Sequence, residues 1–353
     1  MNNEDILENY DLSNSLLLGF YGGGNYGDEL LLEVIASYLS TRSIQNIKFI
    51  YRSPAIFPVL HRDFGYALIP GKSIYRIMHA VIVSRVLIVG GGGFWGRDVN
   101  INTLLMSTLL LVGRIFRKKV YLLGVGYYSS TNYFGHVCAY IAALGSSKII
   151  ARDSETFHNF KKFSRNVSLG ADVAMSINEK IYSPYKSDAE KLGQDLGLSK
   201  KRNEKTILIG FRRFHETEKF RYENAVREVV AANLDKHIIL AIFEPMDIDA
   251  ENYSFILKLQ AQYKKSDIRI LEGSHNPLVI YSLIMEYAKQ LIIISPQFHV
   301  VLTALLSKAA IYPIYYDNKV RQLLLAWNIK NAVSFREVEP KSMNRFIVSS
   351  ERG

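Results

Sequence analysis

Short apolar runs alternate with longer amphipathic stretches along the first half of the chain. The runs contain almost no polar alternation, which is typical of strands buried on both faces of a parallel sheet. They lie at residues 15–21, 47–51, 67–69, 86–89, 120–123 and 148–151. After the first run, Leu31, Val34, Ile35 and Tyr38 recur at helical spacing. The pattern predicts an α/β domain whose helices cross over between parallel strands.

A polar and charged stretch, from about residue 178 to 205, interrupts this rhythm. It contains Pro184, Gly193, Gly197 and a basic cluster at 200–202, which is typical of a connection between domains. Beyond it, strands are predicted at residues 206–211, 238–243, 268–271, 290–294 and 310–315. We therefore expect two domains, residues 1–180 and 200–353, with a cleft between them as the default active site.

Composition narrows the class of protein only moderately. The 353 residues are 48% hydrophobic and 22% charged, a globular balance that excludes a mainly disordered chain. An excess of 43 Lys and Arg over 33 Asp and Glu gives a net charge of +10, which favours anionic partners. That excess does not choose among nucleic acid, anionic lipid and a phosphorylated small molecule.

The cysteine count and the first residues suggest where the protein resides. The single cysteine, Cys138, excludes an intramolecular disulfide and a Cys-rich zinc site. The chain begins with acidic residues, and no apolar run reaches the roughly 20 residues of a membrane-spanning helix. We expect a cytoplasmic protein in a reducing compartment.

The first motif that could carry chemistry is a glycine-rich segment, residues 22–29, between a predicted strand and a predicted helix. Glycines at such a turn let backbone N–H groups approach an anion, and the helix N-terminus adds its positive end. The acidic side chains of Asp28 and Glu29 would repel phosphate unless they point away. A phosphate-binding turn and an ordinary capped turn therefore remain equally good interpretations.

A run of four glycines, residues 90–93, forms the second motif. Ordering so many glycines costs considerable conformational entropy, so a close approach to a ligand or to the first glycine-rich segment is the better explanation. Trp95 follows, and a sugar could stack on it, although such an aromatic more often packs in the core.

Further polar residues follow other predicted strands. Gly124, Gly126, Arg152 and Asp153 come at the ends of two successive strands of the first half, where α/β proteins place ligand groups. Gly126 is expected to be structural, and Arg152 and Asp153 could simply pair with each other. In the second half, the adjacent Arg212 and Arg213 would point to opposite faces, so one of them could grip a carboxylate or phosphate.

A histidine and a lysine complete the candidates in the second half. His299 opens a helix after a predicted strand, where an imidazole can give a proton to a bound anion. Lys319 follows the strand at residues 310–315. His215, His275 and His299 are too scattered for a metal site, and the patterns of serine hydrolases and P-loop enzymes are absent.

Taken in order, these motifs resemble the polysaccharide pyruvyl transferase family. The matching positions are residues 19–29, 90–98, 124–126, 152–154, 171–172, Arg212, His299 and 316–320. The resemblance spans roughly residues 16–330. It implies two Rossmann-like domains with a central cleft, as in glycosyltransferase-B-like folds. It also implies transfer of a pyruvyl group from phosphoenolpyruvate to two hydroxyls of a sugar, giving a cyclic ketal without a metal or organic cofactor.

The resemblance implies roles for individual residues. The N-terminal domain would take the acceptor, a sugar or lipid-linked oligosaccharide, and the C-terminal domain would take phosphoenolpyruvate; no nucleic acid is expected. Arg212 would hold the donor and His299 would act as general acid. The other substrate-binding residues would be Gly23, Gly24, Asn25, Asp28, Gly92, Gly93, Asp98, Gln297 and Lys319. Asp28 and Asp98 would orient acceptor hydroxyls or act as bases, with loop hydrogen bonding as the more common alternative.

One departure from the family pattern and one apolar segment leave alternatives open. The family usually has arginine where this chain has Gln297, so Arg213 or Lys319 would have to supply the missing charge; otherwise the donor binds weakly or differs, or the protein is a silent relative. A glycosyltransferase that uses a nucleotide sugar is a further alternative, with Glu244 as its ribose-binding residue.

Residues 102–112 are mostly apolar and precede a basic cluster, which fits a buried crossover helix better than a contact with the inner face of the plasma membrane.

Overall fold

The structure is a computed structural model that describes residues 12–53, 65–95, 99–128, 132–199, 204–212 and 216–351. The chain divides into two compact units, residues 1–181 and 182–353. Each unit is an α/β domain with its own parallel sheet, as the sequence predicts.

In the part of the first unit that the structure describes, seven strands alternate with helices. The strands are β1 (Ser15–Leu18), β2 (Lys48–Tyr51), β3 (Ala67–Pro70), β4 (Val86–Trp95), β5 (Lys119–Tyr127), β6 (Lys148–Ala151) and β7 (Val167–Leu169). The helices are α1 (Tyr26–Thr41), α2 (Ile74–Val83), α3 (Ile101–Ile115), α4 (Tyr133–Gly145), α5 (Ser154–Lys161) and α6 (Glu179–Tyr182), with a 3₁₀ turn at Val173–Ser176.

The strand order of the first sheet is β3-β2-β1-β4-β5-β6-β7, and every pair is parallel. The chain moves outward from β1 to β3 and then from β4 to β7 on the other side. Right-handed crossovers therefore put α1 on one face of the sheet and α2, α3, α4 and α5 on the other. The buried strands are almost wholly apolar because helices cover both faces.

The second unit repeats the plan on a smaller sheet. Its strands are β8 (Thr206–Phe211), β9 (His237–Ile242), β10 (Ile268–Leu271), β11 (Leu291–Ile294), β12 (Ala310–Tyr312), β13 (Ile314–Tyr315) and β14 (Val333–Ser334). Its helices are α7 (Lys186–Asp195), α8 (Glu216–Ala232), α9 (Ala250–Gln262), α10 (Pro277–Tyr287), α11 (Phe298–Ser307), α12 (Asn318–Ala326) and α13 (Pro340–Glu351), with 3₁₀ turns at Ser183–Tyr185 and Phe335–Glu337. The main sheet is parallel with the order β10-β9-β8-β11-β12, and β13 pairs with β14.

Two predicted boundaries were wrong for physical reasons. Strand β4 does not end before the glycine run but continues through it to Trp95. The strand predicted at 310–315 is divided at Pro313, which has no N–H for the ladder, and its second part pairs with a different strand. The stretch interpreted as a connection contains the division between the two units and is largely helical from Glu179 to Asp195.

Candidate active site

The first glycine-rich segment is held in place by the start of α1. Asn25 is the N-cap residue, and its Oδ1 accepts hydrogen bonds from the backbone N–H groups of Gly27 (3.1 Å) and Asp28 (3.4 Å). Glu29 is fully buried and its Oε1 accepts from the Gly24 N–H at 2.9 Å. Its carboxylate therefore stabilises the turn, and the Gly24 amide is already occupied by a protein group.

The same segment packs closely against β2. Gly22 has a φ of +76°, and a Cβ there would lie 2.7 Å from the backbone nitrogen of Arg52, so only glycine fits. The Tyr51 hydroxyl donates to Glu29 Oε2 at 3.5 Å, and burial together with the Glu29 charge raises the pKa of Tyr51. Gly23 is half-buried and has room beside it. Within this turn, Gly23 is thus the glycine with space for a ligand.

The glycines of β4 pack closely against helix α1. A Cβ on Gly90 would lie 2.0 Å from Ile35 Cδ1, because α1 crosses the strand there. Gly92 has a φ of +92°, and its Cβ position is 3.6 Å from Asp28 Oδ1, so the two predicted residues are neighbours. Gly93 is exposed. The expected close approach of the glycine run to the first glycine-rich segment is confirmed at Gly92. The other acidic candidate, Asp98, lies outside the described residues.

Trp95 is not a stacking platform for a sugar. It is fully buried, its Nε1 donates to Ser107 Oγ at 3.2 Å, and its ring meets that of Phe160 edge-on at 5.3 Å. Of the two interpretations offered by the sequence, packing in the core is the one that the structure supports. Since β4 continues to Trp95, the indole points into the core instead.

Arg152 is the centre of a buried polar network at the carboxyl ends of the strands. Its Nη1 lies 3.2 Å from Asp172 Oδ2 and its Nε lies 3.6 Å from Asp153 Oδ2. The Tyr128 hydroxyl accepts from Nε at 2.9 Å and also from Nη2. Burial alone would lower the pKa of Arg152, but Tyr128 and the two carboxylates raise it overall, so the guanidinium stays charged. The partner expected from the sequence, Asp153, is only one of three.

Two glycines allow this network to form. A Cβ on Gly126 would lie 2.7 Å from the Tyr128 hydroxyl, and one on Gly124 would lie 2.8 Å from the Ala171 carbonyl oxygen. Gly126 is therefore structural, as expected. Sequence reasoning missed Tyr128 altogether, because one tyrosine among 22 carries no distinguishing pattern.

In the second unit, Arg212 follows β8 directly. It is half-buried, and its guanidinium carbon lies 4.0 Å from the centre of the Tyr316 ring, a cation–π geometry. Its carbonyl oxygen accepts from Asn252 Nδ2 at 3.0 Å, which fixes the backbone at the strand end. Arg213 lies outside the described residues.

Gln297 and His299 follow the neighbouring strand. In the register of the two strands Ile209 of β8 is opposite Ile294 of β11, so Arg212 and the start of α11 lie at the same edge of the sheet. Gln297 is the N-cap residue of α11; it is buried, and within the described part of the chain its Oε1 has no hydrogen-bond partner. His299 is in the first turn of α11, and its ring meets that of Phe298 edge-on at 5.0 Å.

Lys319 comes from the next element along this edge. Asp317 caps α12 by accepting from the Val320 N–H at 3.2 Å, and Lys319 Nζ lies 3.3 Å from Asp317 Oδ2. Its charge is therefore partly balanced by a neighbour. Glu244, proposed as the ribose-binding residue of a nucleotide-sugar enzyme, is buried after β9.

This edge of the second unit has the elements that an anionic ligand needs. It combines a guanidinium, an imidazole and the N-terminus of α11, which carries partial positive charge. Among the described residues, no group of three or more His, Cys, Asp or Glu side chains is arranged to hold a metal ion.

Comparisons with known proteins agree with this geometry at the level of family and fold. The family model of the polysaccharide pyruvyl transferases matches residues 25–318. A search of curated proteins finds no match.

Several solved structures share the two-domain fold at low identity. UDP-GlcNAc 2-epimerase from Neisseria meningitidis, bound to UDP-GlcNAc, is 12% identical, with a TM-score of 0.60 over 95% of this chain and 91% of the epimerase. The Methanocaldococcus jannaschii epimerase is 13% identical, with a TM-score of 0.59 over 96% and 91%. The E. coli ADP-heptose lipopolysaccharide heptosyltransferase II is 11% identical, with a TM-score of 0.50 over 96% and 98%. The predicted glycosyltransferase-B-like fold is confirmed.

Proposed function

The chain belongs to the polysaccharide pyruvyl transferase family, and we propose that it transfers a pyruvyl group from phosphoenolpyruvate to two hydroxyls of a sugar, forming a cyclic ketal. The acceptor is a sugar of a surface-polysaccharide precursor, free or lipid-linked. The reaction takes place in the cytoplasm or at the inner face of the plasma membrane.

The observation that carries this proposal is the grouping of Arg212 and His299 at the ends of the adjacent strands β8 and β11. Phosphoenolpyruvate has a carboxylate and a phosphate next to a carbon–carbon double bond. A guanidinium can pair with either anion through two parallel hydrogen bonds. An imidazole at the same edge can supply the proton that the double bond needs.

The chemistry begins at the donor. His299 gives a proton to the methylene carbon, which becomes a methyl group, and a sugar hydroxyl bonds to the neighbouring carbon. Phosphate leaves with its bonding electron pair, stabilised by the α11 N-terminus. The second hydroxyl then closes the ketal. Of the two hydroxyl protons released, one restores the imidazolium and the other leaves on phosphate.

The first unit is the acceptor side in this proposal. Asp28 is half-buried and lies beside Gly92, and the neighbouring Gly93 is exposed. A carboxylate at an open glycine surface can accept hydrogen bonds from sugar hydroxyls and orient them. The half-buried Gly23 and the exposed Gly93 leave room for the ring, and Asn25 positions Asp28 by capping the helix.

The test measures phosphate release from phosphoenolpyruvate with a panel of lipid-linked and nitrophenyl sugars. Wild-type protein should release phosphate only when a diol acceptor is present, and His299→Gln should lower the rate by about 10²- to 10⁴-fold. His275→Gln is the matched control, because His275 is also partly buried in the second unit but lies after β10. Loss of activity in both variants, or in neither, would contradict the assigned role of His299.

Gln297 favours a second candidate function, a glycosyltransferase that uses a nucleotide sugar. The buried Oε1 can accept a hydrogen bond, and phosphoenolpyruvate in its fully ionised form offers no donor. A hydroxyl or N–H of a nucleotide sugar would satisfy it. Incubation with nucleotide sugars and measurement of nucleotide release separates the two functions.

The Gln297→Arg variant distinguishes these two functions from a third case, in which the chain has lost the activity of its family. If wild-type protein binds neither donor while Gln297→Arg binds phosphoenolpyruvate, the chain has lost the activity of its family. If wild-type protein already binds phosphoenolpyruvate, the variant should bind it about tenfold more tightly, since a charged hydrogen bond replaces a neutral one.

A further inference from the structure

Helix α3 has apolar side chains on its outer side as well as on its inner side. The positions it buries fully are Thr103, Ser107, Leu110 and Gly113, and four partly buried side chains pack against the core, namely Leu104, Met106, Leu109 and Val112. Ile101, Leu105 and Ile115 are exposed, Ile115 to 70%. The outer side of a helix that only covers a sheet is ordinarily polar. The crossover helix favoured from the sequence is therefore buried on its inner side, but its outer side exposes apolar side chains.

Helix α4 also exposes bulky side chains. Its buried positions are small residues, among them Gly135, Ala139 and Ala142. Tyr133 and Leu144 are exposed, Tyr133 to 84%. Two successive helices on one face of the sheet therefore expose bulky apolar side chains to solvent.

The three helices form one continuous surface. Lys118 Nζ, just after α3, donates to the Ile82 carbonyl oxygen of α2 at 2.5 Å. The end of α4 lies on the α3 backbone, since a Cβ on Gly145 would be 2.6 Å from the nitrogen of Leu111. We define the outer face as the exposed surface of α2, α3 and α4, which carries Ile82, Leu105, Ile115, Phe116, Tyr133 and Leu144.

Positive charge is concentrated on the same part of the chain. Residues 65–151 contain nine Lys and Arg and a single acidic residue, Asp98, so this segment alone has a net charge of +8 out of +10 for the whole protein. Several of these basic residues are exposed around α2 and α3, including Arg76, Arg114 and Arg117. The outer face thus combines bulky apolar side chains with a basic surround.

We propose that the outer face docks on a membrane of anionic phospholipid. Apolar side chains can enter the boundary between headgroups and acyl chains while the basic residues meet lipid phosphates. A second copy of this chain is a poorer occupant, because two outer faces would bring two strongly positive surfaces together without acidic partners. Among the described helices, none has both the length and the apolar character needed to span a bilayer, so the proposed contact is peripheral.

Docking through the outer face would bring the enzyme to lipid-linked acceptors. That consequence rests on the proposed function, whereas membrane binding rests only on the surface of the first unit. If the protein has no pyruvyl transferase activity, it should still bind membranes. If it is an active enzyme that uses free sugars, it need not bind membranes.

The experiment is co-sedimentation of the full chain with vesicles. One set contains phosphatidylcholine alone and the other contains equal parts of phosphatidylcholine and phosphatidylglycerol. The apolar variant is Ile115→Ser with Phe116→Ser, and the charge variant is Arg114→Gln with Arg117→Gln. Their matched controls are Phe220→Ser with Leu257→Ser, and Lys264→Gln with Lys265→Gln, which change exposed side chains of the second unit. Equal thermal unfolding of all variants confirms that they are folded.

Wild-type protein should sediment with the anionic vesicles far more than with the neutral ones. The apolar variant should lower that binding by about tenfold or more, because each side chain loses its burial in the interface. The charge variant should lower it by about tenfold, and the control variants should bind like wild type.

Two outcomes would overturn the proposal. Wild-type protein that stays in the supernatant with both vesicle types has no membrane-docking face. A dimer seen by analytical ultracentrifugation without vesicles, and abolished by the apolar variant, would assign the outer face to a second copy.

Discussion

The two units each place an arginine at the carboxyl end of a sheet strand, but in very different surroundings. Arg152, in the first unit, is buried and contacts Tyr128, Asp153 and Asp172. Arg212, in the second unit, is half-buried and lies over the ring of Tyr316. The same side chain at the same topological position thus meets two carboxylates in one unit and an aromatic face in the other.

This difference fits a structural role for Arg152 and the donor-binding role that we propose for Arg212. The charge of Arg152 is balanced by carboxylates that themselves cap a helix and a 3₁₀ turn, so the network ties the ends of three strands together. The guanidinium of Arg212 lies over an aromatic face at a strand end, a position that suits the anion-binding role we propose for it. Substitutions should therefore affect folding in the first case and donor binding in the second.

The largest expected effect is on the stability of the first unit. Arg152→Met removes the partner of Asp172, which is 3% exposed, and leaves a buried carboxylate without its guanidinium. We expect the free energy of unfolding to fall by about 3–5 kcal/mol, as for other broken buried ion pairs. Urea denaturation followed by circular dichroism measures it. A loss below about 1 kcal/mol would mean that the network contributes little to folding.

The next effect concerns the donor. Arg212→Gln should raise the KM for phosphoenolpyruvate by about 10- to 100-fold, the value of one charged hydrogen-bond pair, while the free energy of unfolding changes by less than about 1 kcal/mol. Steady-state phosphate release gives the KM. The control is Arg227→Gln, because Arg227 also lies over an aromatic ring, that of Phe255, but on α8. An unchanged KM with a large loss of stability would reverse the distinction between the two arginines.

Two glycines at the edge of the first sheet should differ in how much their substitution lowers the free energy of unfolding. Gly124→Ala introduces a Cβ 2.8 Å from a backbone oxygen at a φ of +60°, so we expect a loss of about 1–3 kcal/mol in the free energy of unfolding. Gly93→Ala places a Cβ 3.4 Å from the end of the Arg152 side chain and 3.7 Å from the Tyr128 ring, both ordinary contact distances, and should cost less than about 1 kcal/mol. Thermal and urea unfolding of the two variants compare them directly, and equal losses would show that the contacts at Gly124 relax.

The smallest effect is expected at Lys319. Its ion pair with Asp317 is partly exposed, so Lys319→Met should change the free energy of unfolding by less than about 1 kcal/mol. If Lys319 replaces the arginine that Gln297 lacks, the same variant should nevertheless raise the KM for phosphoenolpyruvate by about tenfold. An unchanged KM would show that Lys319 does not replace the missing arginine.

The strands were the most predictable part of the fold. The limits of β8 and β10 agree with the predicted runs because polar residues bound both strands sharply. The continuation of β4 through Gly90 to Gly93 could not be predicted, since a glycine run ordinarily marks a loop and only the neighbouring β5 reveals the pairing. The apolar segment at residues 102–112 indicated α3 but not which of its apolar side chains are exposed, because a segment that is apolar on most sides does not show which side meets the sheet.

The candidate site was predictable to a different degree in each unit. Arg212, Gln297 and His299 are recognisable because each follows a strand whose carboxyl end is a usual place for ligand groups. In the first unit, the order of motifs pointed to Asp172, but its contact with Arg152 joins residues 20 positions apart. Such a contact depends on the packing of β6 against β7, which no local pattern specifies.

The central claim, pyruvyl transfer with His299 as proton donor, is tested most directly by running the reaction in D₂O and analysing the glycan product by nuclear magnetic resonance and mass spectrometry. The account predicts a ketal whose methyl group carries one deuterium, formed by wild-type protein and by His275→Gln but not by His299→Gln. Unchanged phosphoenolpyruvate together with consumption of a nucleotide sugar would contradict it.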